Sequence, residues 1–563
     1  MQVHTKSNVL SSLFSVHSFK ILVALFFVIF LIYLPDAAYF IKNSVVNYLV
    51  IGFIIVSVFL FLPVVFFYRR LRIYYILLSV VAALTPVSVL PVLLINSQAN
   101  TEMIGLMMDT NWQEVKELLG WKIFLLIGAC ILCFFLCKKI LYTLPKQLSF
   151  KQGAAISATA LLLVLLLPFS RSRDLYYYTQ ILNNTAKTYY PFRIGNAASF
   201  VYNESQNEKR HKVAIENFRF GATKDTAQKK PAIHLLLIGE TARGDHFSLN
   251  GYARPTNPLL SQQQNLVSFP NAISGASMTH LSVPLIITRA DATQYERHKQ
   301  ERSILHAFKE AGYYTVWISN QSRHGLTSNI AMHYQDADTT IFHGWGSNES
   351  NFTGSTDAAL LPTLQQVLKN NTGKDVFILM HMIGSHWRYL LRYPESFTKF
   401  KPVSDRNRSM VGYPPKDVVI NEYDNSILFT DFIINEIINT VKATSTLSSV
   451  SYVSDHGENL GDDERNLFFH AYKPTLPSIN IPMLIWYSPQ LAGQYPNIPA
   501  ALQRNKMYPV SSAQYIFETV CQLGGVRFPT ADSSKSLISN SFAPQEMFVV
   551  GENGAVVPYK DIR

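Results

Sequence analysis

The chain has 563 residues, 48% of them apolar and only 15% charged, with a net charge of +11. Soluble chains carry about 25% charged residues, so this composition excludes both a simple soluble enzyme and a disordered protein. Nor is the basic excess a nucleic-acid signature: residues 1–170 hold 12 Lys/Arg against 5 Asp/Glu (+7), and residues 171–563 hold 37 against 33 (+4).

Five apolar runs, near 21–41, 46–68, 73–95, 121–141 and 153–170, are candidates to cross a bilayer, which takes about 20 residues. The fifth is short but intensely apolar. The first is not a secretory signal, because no small-residue cleavage site follows it and four further runs do. Arg69, Arg70 and Arg72 follow the second run, and Lys138, Lys139, Lys146 and Lys151 follow the fourth. Lys6 and Lys20 precede or open the first. Between the third and fourth lie Glu102, Asp109, Glu114 and Glu117 against Lys116 and Lys122. The positive-inside rule puts the N-terminus in the cytoplasm and everything after residue 171 outside. Three cysteines (Cys130, Cys133, Cys137) fall in the fourth run, where they read as small apolar filler. Cys521 alone lies in the exported part, so that part has no internal disulfide. In the acidic loop, Asn111 and Glu114 have the spacing of a capping box. That predicts a helix start, lying along the membrane interface or serving as a connector.

Residues 171–230 are polar and irregular and read as a bridge. From 231 the pattern changes. Short strand-like runs recur at 233–238, 313–318, 375–382, 449–453, 481–487 and 547–550. Helical periodicity lies between them, at 301–311 and 421–442. Alternating strands and helices predict a mainly parallel sheet covered on both faces.

Ligands of open α/β sheets bind beyond the carboxyl ends of the strands. Here those ends carry Gly239-Glu240-Thr241, Asn320-Gln321, Ser385-His386 and Ser454-Asp455-His456-Gly457-Glu458. Any one of these turns reads equally well as an ordinary loop. Their joint appearance delivers carboxylates, imidazoles and amides to one edge, a donor set that suits zinc or a similar divalent ion. The segment Gly275-Ala276-Ser277-Met278-Thr279 leads into a helix. A hydroxyl there meets free backbone N–H groups and a place for a phosphate. Ser277 or Thr279 is thus a nucleophile candidate, or simply a cap.

These residues resemble the phosphoethanolamine transferases of Gram-negative envelopes, members of the alkaline phosphatase and sulfatase superfamily. The resemblance runs over nearly the whole chain. It rests on Gly239-Glu240-Thr241-Ala242-Arg243, on the stretch Ser248 to Pro258, and on Thr279 with Ser282-Val283-Pro284. Gly384-Ser385-His386, Tyr423-Asp424-Asn425 and Ser454 to Glu458 match as well. It implies a five-helix transmembrane domain (1–170), a bridging segment (171–230) and an alkaline-phosphatase-like α/β catalytic domain (231–563) in the periplasm, anchored in the bacterial inner membrane. It implies zinc held by Glu240, Thr279, Asp455 and His456, with Thr279 as nucleophile. His386 and His470 would stand beside the transferred phosphate, and Asn320, Thr110 and Glu114 would contact substrate. The implied donor is phosphatidylethanolamine and the implied acceptor a lipopolysaccharide, on lipid A or a core sugar. The resemblance also implies an altered surface charge and altered resistance to cationic peptides such as polymyxin. A monomer is expected.

The chain also departs from that pattern. Relatives staple this domain with disulfides, which Cys521 alone cannot form. The spacing from His456 to His470 is longer than in the colistin-resistance members, and Leu106 stands where the exported loop often has Asn. Trp387-Arg388 replaces a common Gly-Pro after His386. Three other readings compete. A sulfatase nucleophile is followed by Pro and Arg at positions two and four, where this chain has Leu281 and Val283. A phosphoglycerol transferase shares the five spans, metal and threonine, but the Ser248-Leu249-Asn250-Gly251-Tyr252 stretch argues against it. A non-catalytic lipid-binding membrane sensor would have lost metal ligands that are all present here.

Overall fold

In this computed structural model the described residues are 16–42, 53–95 except 54, 55 and 59, then 120–166, 189–195, 199 and 215–562. Within the last stretch, 229, 322–327, 344–355, 407–413, 463, 471–472 and 552–553 are not described. The chain forms two compact units divided at residues 204/205, inside the expected bridging segment.

The first unit is helical. Helices span Val16–Lys42, Leu71–Ala83, Thr85–Ile95, Lys122–Leu141 and Phe150–Leu166, with a short one at Val64–Phe67. They lie on four of the five apolar runs in full or in large part. Much of the second run, 46–68, lies outside the described residues. Among the described residues, two helical stretches pass as membrane spans on length and hydropathy, Leu71–Leu90 and Lys122–Leu141. The interior is an apolar cluster that includes Ile32, Tyr33, Phe40, Tyr75 and Tyr190. One ion pair is buried in it: Arg193 Nη1 donates to Asp36 Oδ1 at 2.9 Å, and Tyr190 N–H donates to Asp36 Oδ2 at 2.8 Å. A buried acid is tolerated when its oxygens are met in this way.

The second unit is built on a seven-stranded sheet. In chain order its strands are β1 (Ala232–Gly239), β2 (Leu266–Ser268), β3 (Tyr314–Ser319), β4 (Thr339–Phe342), β5 (Val376–His381), β6 (Leu447–Ser454) and β7 (Met483–Tyr487). The spatial order is β2-β7-β6-β1-β5-β3-β4. The five strands β6-β1-β5-β3-β4 run parallel, while β7 is antiparallel to both its neighbours. The expected parallel sheet therefore carries one antiparallel strand, β7, next to its edge strand β2. The run at 547–550 is not part of it: Phe548–Val550 pairs with Val556–Pro558 in a separate ribbon.

All eight residues of β1 are buried, as expected where helices cover both faces. Alternation sends Leu236 and Ile238 into one apolar cluster with Tyr515, Ile516 and Val520 of the helix Ser512–Leu523. Leu235 and Leu237 enter the other, with Ile427, Ile434 and Ile438 of the helix Lys416–Ala443. Burial of side chains of this size contributes about 1.5–3 kcal/mol each, so the central strands are fixed by their surroundings. Ile238 pairs with His381 and Val453, and Ser319 pairs with His381. Consequently β1, β3, β5 and β6 end level, and the loops that follow them emerge side by side.

Candidate active site

Glu240 leaves β1, Asp455 and His456 leave β6, and Thr279 opens the helix Thr279–Ile287. The backbone ties these exits to one another. Asp455 N–H donates to Gly239 O at 2.9 Å, and Ser385 N–H donates to Glu240 O at 2.9 Å. Gly384 makes the second of these possible. It has φ +47°, and a Cβ there would lie 2.7 Å from the Glu240 carbonyl oxygen. Only glycine accepts both the left-handed conformation and the close approach.

The side chains converge. Thr279 Oγ1 lies 3.1 and 3.3 Å from the two Glu240 carboxylate oxygens and 3.2 Å from His456 Nε2. His456 Nε2 is 3.4 Å from Glu240 Oε1 and 3.4 Å from Asp455 Oδ2. Glu240, Asp455 and His456 are buried, and Thr279 is half-buried. Among the described residues this is the group of acidic and imidazole side chains placed to hold a metal ion.

Three observations test whether the set fits zinc. Asp455 Oδ1 accepts from the N–H groups of Thr241 (3.0 Å) and His456 (2.6 Å), whereas its buried Oδ2 has no hydrogen-bond donor. A buried carboxylate oxygen left this way is costly unless a cation faces it. His456 Nδ1 bonds the Gly457 carbonyl at 2.7 Å. A carbonyl only accepts, so Nδ1 carries a proton and Nε2 is the ring nitrogen that faces the cluster, available to a metal once it has given up its own proton. Ligands about 2.0–2.1 Å from a tetrahedral zinc stand roughly 3.3–3.4 Å apart. The separations of 3.1–3.4 Å agree with that spacing. The residues fit the ion.

Electrostatics point the same way. Burial, then the charge of Glu240, pushes the Asp455 carboxyl up. Burial also disfavours charge on Glu240 and His456, but each stabilises the ionised form of the other. His456 is therefore raised and Glu240 held well below the usual carboxylate range. Two carboxylates sharing one buried imidazole form a cation-seeking cluster.

A second layer fixes the first. Thr241 has φ +60°, a strained conformation for a β-branched residue. Its hydroxyl donates to Glu240 Oε1 at 2.8 Å, and its carbonyl accepts from Tyr423 Oη at 2.7 Å. The same Tyr423 oxygen accepts from Arg243 N–H at 2.8 Å. Gln321 Nε2 donates to Glu240 Oε2 at 3.1 Å and to Met382 O at 2.9 Å.

The structure brings together Glu240, Thr279, Asp455 and His456. His470 stands next to them, its ring centroid 4.1 Å from that of His456 and its Nδ1 3.2 Å from Glu458 Oε1. Glu458 is held by Tyr389 Oη at 3.0 Å. His386 bonds the Trp387 carbonyl at 2.8 Å, and burial holds its imidazole below the ordinary range against the opposing charge of Glu240. Asn320 is not among the converging groups. Its amide donates to buried Asp357 at 2.9 Å, and Asp357 in turn holds the N–H groups of Ile383 and Gly384. The amide that reaches the cluster is that of Gln321. Thr110 and Glu114 lie outside the described residues. Sequence reasoning missed His280, which burial and the neighbouring His456 and His470 push down to about 4. It also left Glu458 and Tyr423 without a role, although both fall inside quoted motifs. For Gln321 the signal was two adjacent amides after one strand, with only the local geometry to choose between them.

Residues 233–526, more than half of the chain, match the sulfatase family model. The chain belongs to the sulfatase family. It is similar to phosphoethanolamine transferase EptA of Escherichia coli (strain K12), with 30% identity over 307 residues, 53% of this chain and 54% of the relative. This chain spans about half the length, 44% to 54%, of the curated relatives it matches at 30% identity or more. Among solved structures, the integral membrane lipooligosaccharide phosphoethanolamine transferase A (EptA) from Neisseria meningitidis superposes with a TM-score of 0.72 at 22% identity. That match covers 92% of this chain and 98% of the other, and it shows the fold. The C-terminal periplasmic domain of EptC from Escherichia coli, in complex with zinc, superposes with a TM-score of 0.53 at 25% identity, covering 60% of this chain and 95% of that one. The resemblance to phosphoethanolamine transferases carried by the motifs thus extends to sequence similarity and to fold.

Proposed function

We propose that this protein is a zinc-dependent transferase of the bacterial inner membrane. It moves phosphoethanolamine from phosphatidylethanolamine to a lipopolysaccharide acceptor, on lipid A or a core sugar. The observation that carries this reading is the Thr279 hydroxyl, held at a helix start 3.1–3.3 Å from Glu240 and His456. Bound zinc would lower the pKa of that hydroxyl and offset charge on the transferring phosphoryl group. In the first step the Thr279 hydroxyl, its proton released to solvent, bonds through Oγ1 to phosphorus and the phosphorus–oxygen bond to diacylglycerol breaks. His386 or His470 gives the departing oxygen its proton. In the second step an acceptor oxygen attacks phosphorus and Thr279 Oγ1 leaves. The start of the helix Thr279–Ile287 is proposed to receive phosphoryl oxygens at its N-terminal end.

The reading includes five membrane spans, a periplasmic catalytic domain reached through a bridging segment, and a monomer. Support for the membrane part comes from the helix Lys122–Leu141, where Phe124 and Leu125 are 72% and 60% exposed. An apolar face of that kind is stable only where lipid or protein covers it. The acidic loop with Thr110 and Glu114 is proposed to contact the donor headgroup. The EptA name of a curated relative supports phosphoethanolamine as the transferred group, and the zinc complex of EptC supports the ion.

Intact-mass spectrometry with peptide mapping, after incubation with phosphatidylethanolamine, tests the proposal. A phosphoethanolamine adduct on Thr279, absent from Thr279→Ala, is expected. A phosphoglycerol adduct formed from phosphatidylglycerol instead would replace this reading with the phosphoglycerol transferase. Full transfer by Thr279→Ala would refute the nucleophile.

A further inference from the structure

The membrane unit holds a cavity of about 230 Å³ on the side of the chain's basic loops. Its lining includes Leu71, Tyr74, Tyr75, Leu78, Leu144 and Leu148. The first four have the i, i+3, i+4, i+7 spacing of a single helix stripe. Seven residues at 1.5 Å per residue extend about 10 Å, so the cavity starts at the level of the loops and runs inward along the helix. Both tyrosines spend their hydroxyls elsewhere, Tyr75 on Pro145 O at 2.9 Å and Tyr74 on Leu60 O. They present only rings to the cavity. An apolar space larger than about 150 Å³ accommodates an apolar guest.

The rim is cationic. Leu148 N–H donates to Tyr68 O at 2.7 Å, which joins the loop after the second apolar run to the loop after the fourth. Arg69, Arg70, Lys146 and Lys151 are exposed on these two loops, and among the described residues none of them forms an ion pair. Neither 63–72 nor 142–152 contains an Asp or Glu. Arg72 lies over the Tyr142 ring with its guanidinium carbon 3.9 Å from the centroid. The positive-inside rule accounts for cations on a cytoplasmic loop. It does not account for an apolar slot opening among them and running towards mid-membrane.

We propose that this slot holds one acyl chain of an anionic phospholipid of the cytoplasmic leaflet, its phosphate headgroup resting on Arg69, Arg70 and Lys146. The inference rests on the five-span reading. The site is separate from the donor's, because the proposed transfer occurs on the opposite face of the membrane. A cation beside an anionic headgroup favours it about fivefold, so three cations give a preference on the order of a hundredfold over a zwitterionic lipid.

Native mass spectrometry of the full chain, extracted in mild detergent and challenged with equimolar phosphatidylglycerol and phosphatidylethanolamine, tests this. One retained phosphatidylglycerol is expected. The preference should fall about fivefold per charge in Arg69→Gln, Arg70→Gln and Lys146→Gln. Leu78→Trp, which fills the inner end of the slot, should release the lipid. Thr279→Ala should retain it, because the site is not the catalytic one; loss in that variant would overturn the proposal. Equal retention of the two lipids, or a preference untouched by the charge variants, would overturn it too. Extraction of membranes with alkaline carbonate separates the two readings. Protein that stays in the membrane yet shows no preference refutes the lipid site alone, and protein that is released refutes the five spans.

Discussion

The Tyr423 hydroxyl links a core helix to the strained residue beside the candidate metal site, so Tyr423→Phe isolates what that link contributes. The ring is fully buried, and phenylalanine occupies the same space, so apolar burial is unchanged. What is lost is a donor to Thr241 O at 2.7 Å and an acceptor for Arg243 N–H at 2.8 Å. Thr241 is fully buried and Arg243 is 4% exposed, so water does not replace the hydroxyl. Each stranded backbone group costs about 1–3 kcal/mol, and together they cost about 2–6 kcal/mol. For a unit of this size 1 kcal/mol is worth about 2 °C in Tm, so the variant should melt about 4–12 °C lower. There is a second, local effect. Thr241 keeps φ +60° against a cost of about 1–2 kcal/mol, and its hydroxyl orients Glu240. Once its carbonyl is released, zinc affinity should fall about 10–100-fold, as for other residues that orient metal ligands. Thermal unfolding with zinc saturating and with zinc chelated, alongside a zinc titration, reads both quantities. A variant with unchanged Tm and unchanged zinc affinity would falsify the claim that Tyr423 holds the site. A lowered Tm with intact affinity would confine its role to stability.

Gly384→Ala puts a methyl group 2.7 Å from the Glu240 carbonyl oxygen in a left-handed conformation, so Glu240 has to move. Zinc content measured by atomic absorption and transfer activity should fall together, by tenfold or more. Asp455→Asn keeps an acceptor for the two N–H groups but presents an amide where Oδ2 faces the cluster. The variant should fold, lose zinc and lose transfer; normal zinc content would remove Asp455 from the ligand set. Burial pushes the carboxyl of Glu518 from 4.5 up to about 7. The folded chain therefore keeps that proton over a range where the unfolded chain has released it, and stability declines as pH rises from about 4.5 to 7. Glu518→Gln should abolish that decline and stabilise the protein by up to about 3 kcal/mol at pH 8, with little change at pH 4. Equal unfolding midpoints for the two proteins at pH 8 would show that the group is not buried as described.

Much of this fold could be read from the sequence because its central strands are short, rich in apolar residues and separated by helices. The runs at 233–238, 313–318, 375–382, 449–453 and 481–487 all became strands of the sheet. Leu266–Ser268 and Thr339–Phe342 escaped notice because strands of three and four residues at the edges need little apolar pattern to be held. The antiparallel direction of β7 leaves no trace in composition, and the ribbon at Phe548–Val550 has the same residue types as a central strand. In the site, the groups read from strand ends were found where the sheet delivers them. Those fixed by distant partners were not. Tyr423 lies 182 residues from Thr241 on a helix whose inward face merges into the apolar core. Choosing Gln321 over Asn320 required knowing that Asp357 claims the Asn320 amide.

The backbone supports the parts of the site in two different ways. Beyond the last paired residues, the parallel ladder continues for one further bond in each loop. Asn320 N–H donates to His381 O at 2.8 Å, Met382 N–H to Ile238 O at 2.9 Å, and Asp455 N–H to Gly239 O at 2.9 Å. Glu240, Asp455 and His456 therefore stand on an extension of the sheet itself, where a ligand cannot shift without breaking a bond to the neighbouring strand. His470 is carried differently. It follows a two-stranded ribbon of Asn459–Leu460 with Phe468–Phe469, in which Phe469 has φ +63° and Asn466 φ +49°. Its ring is held by Glu458 and packs against His456. In the proposed two-step transfer the groups that hold the metal and the nucleophile would keep one geometry through both steps, and the bonds that extend the sheet support that. His470 would meet the same phosphate from a separate ribbon, its position set by Glu458 and not by a sheet strand.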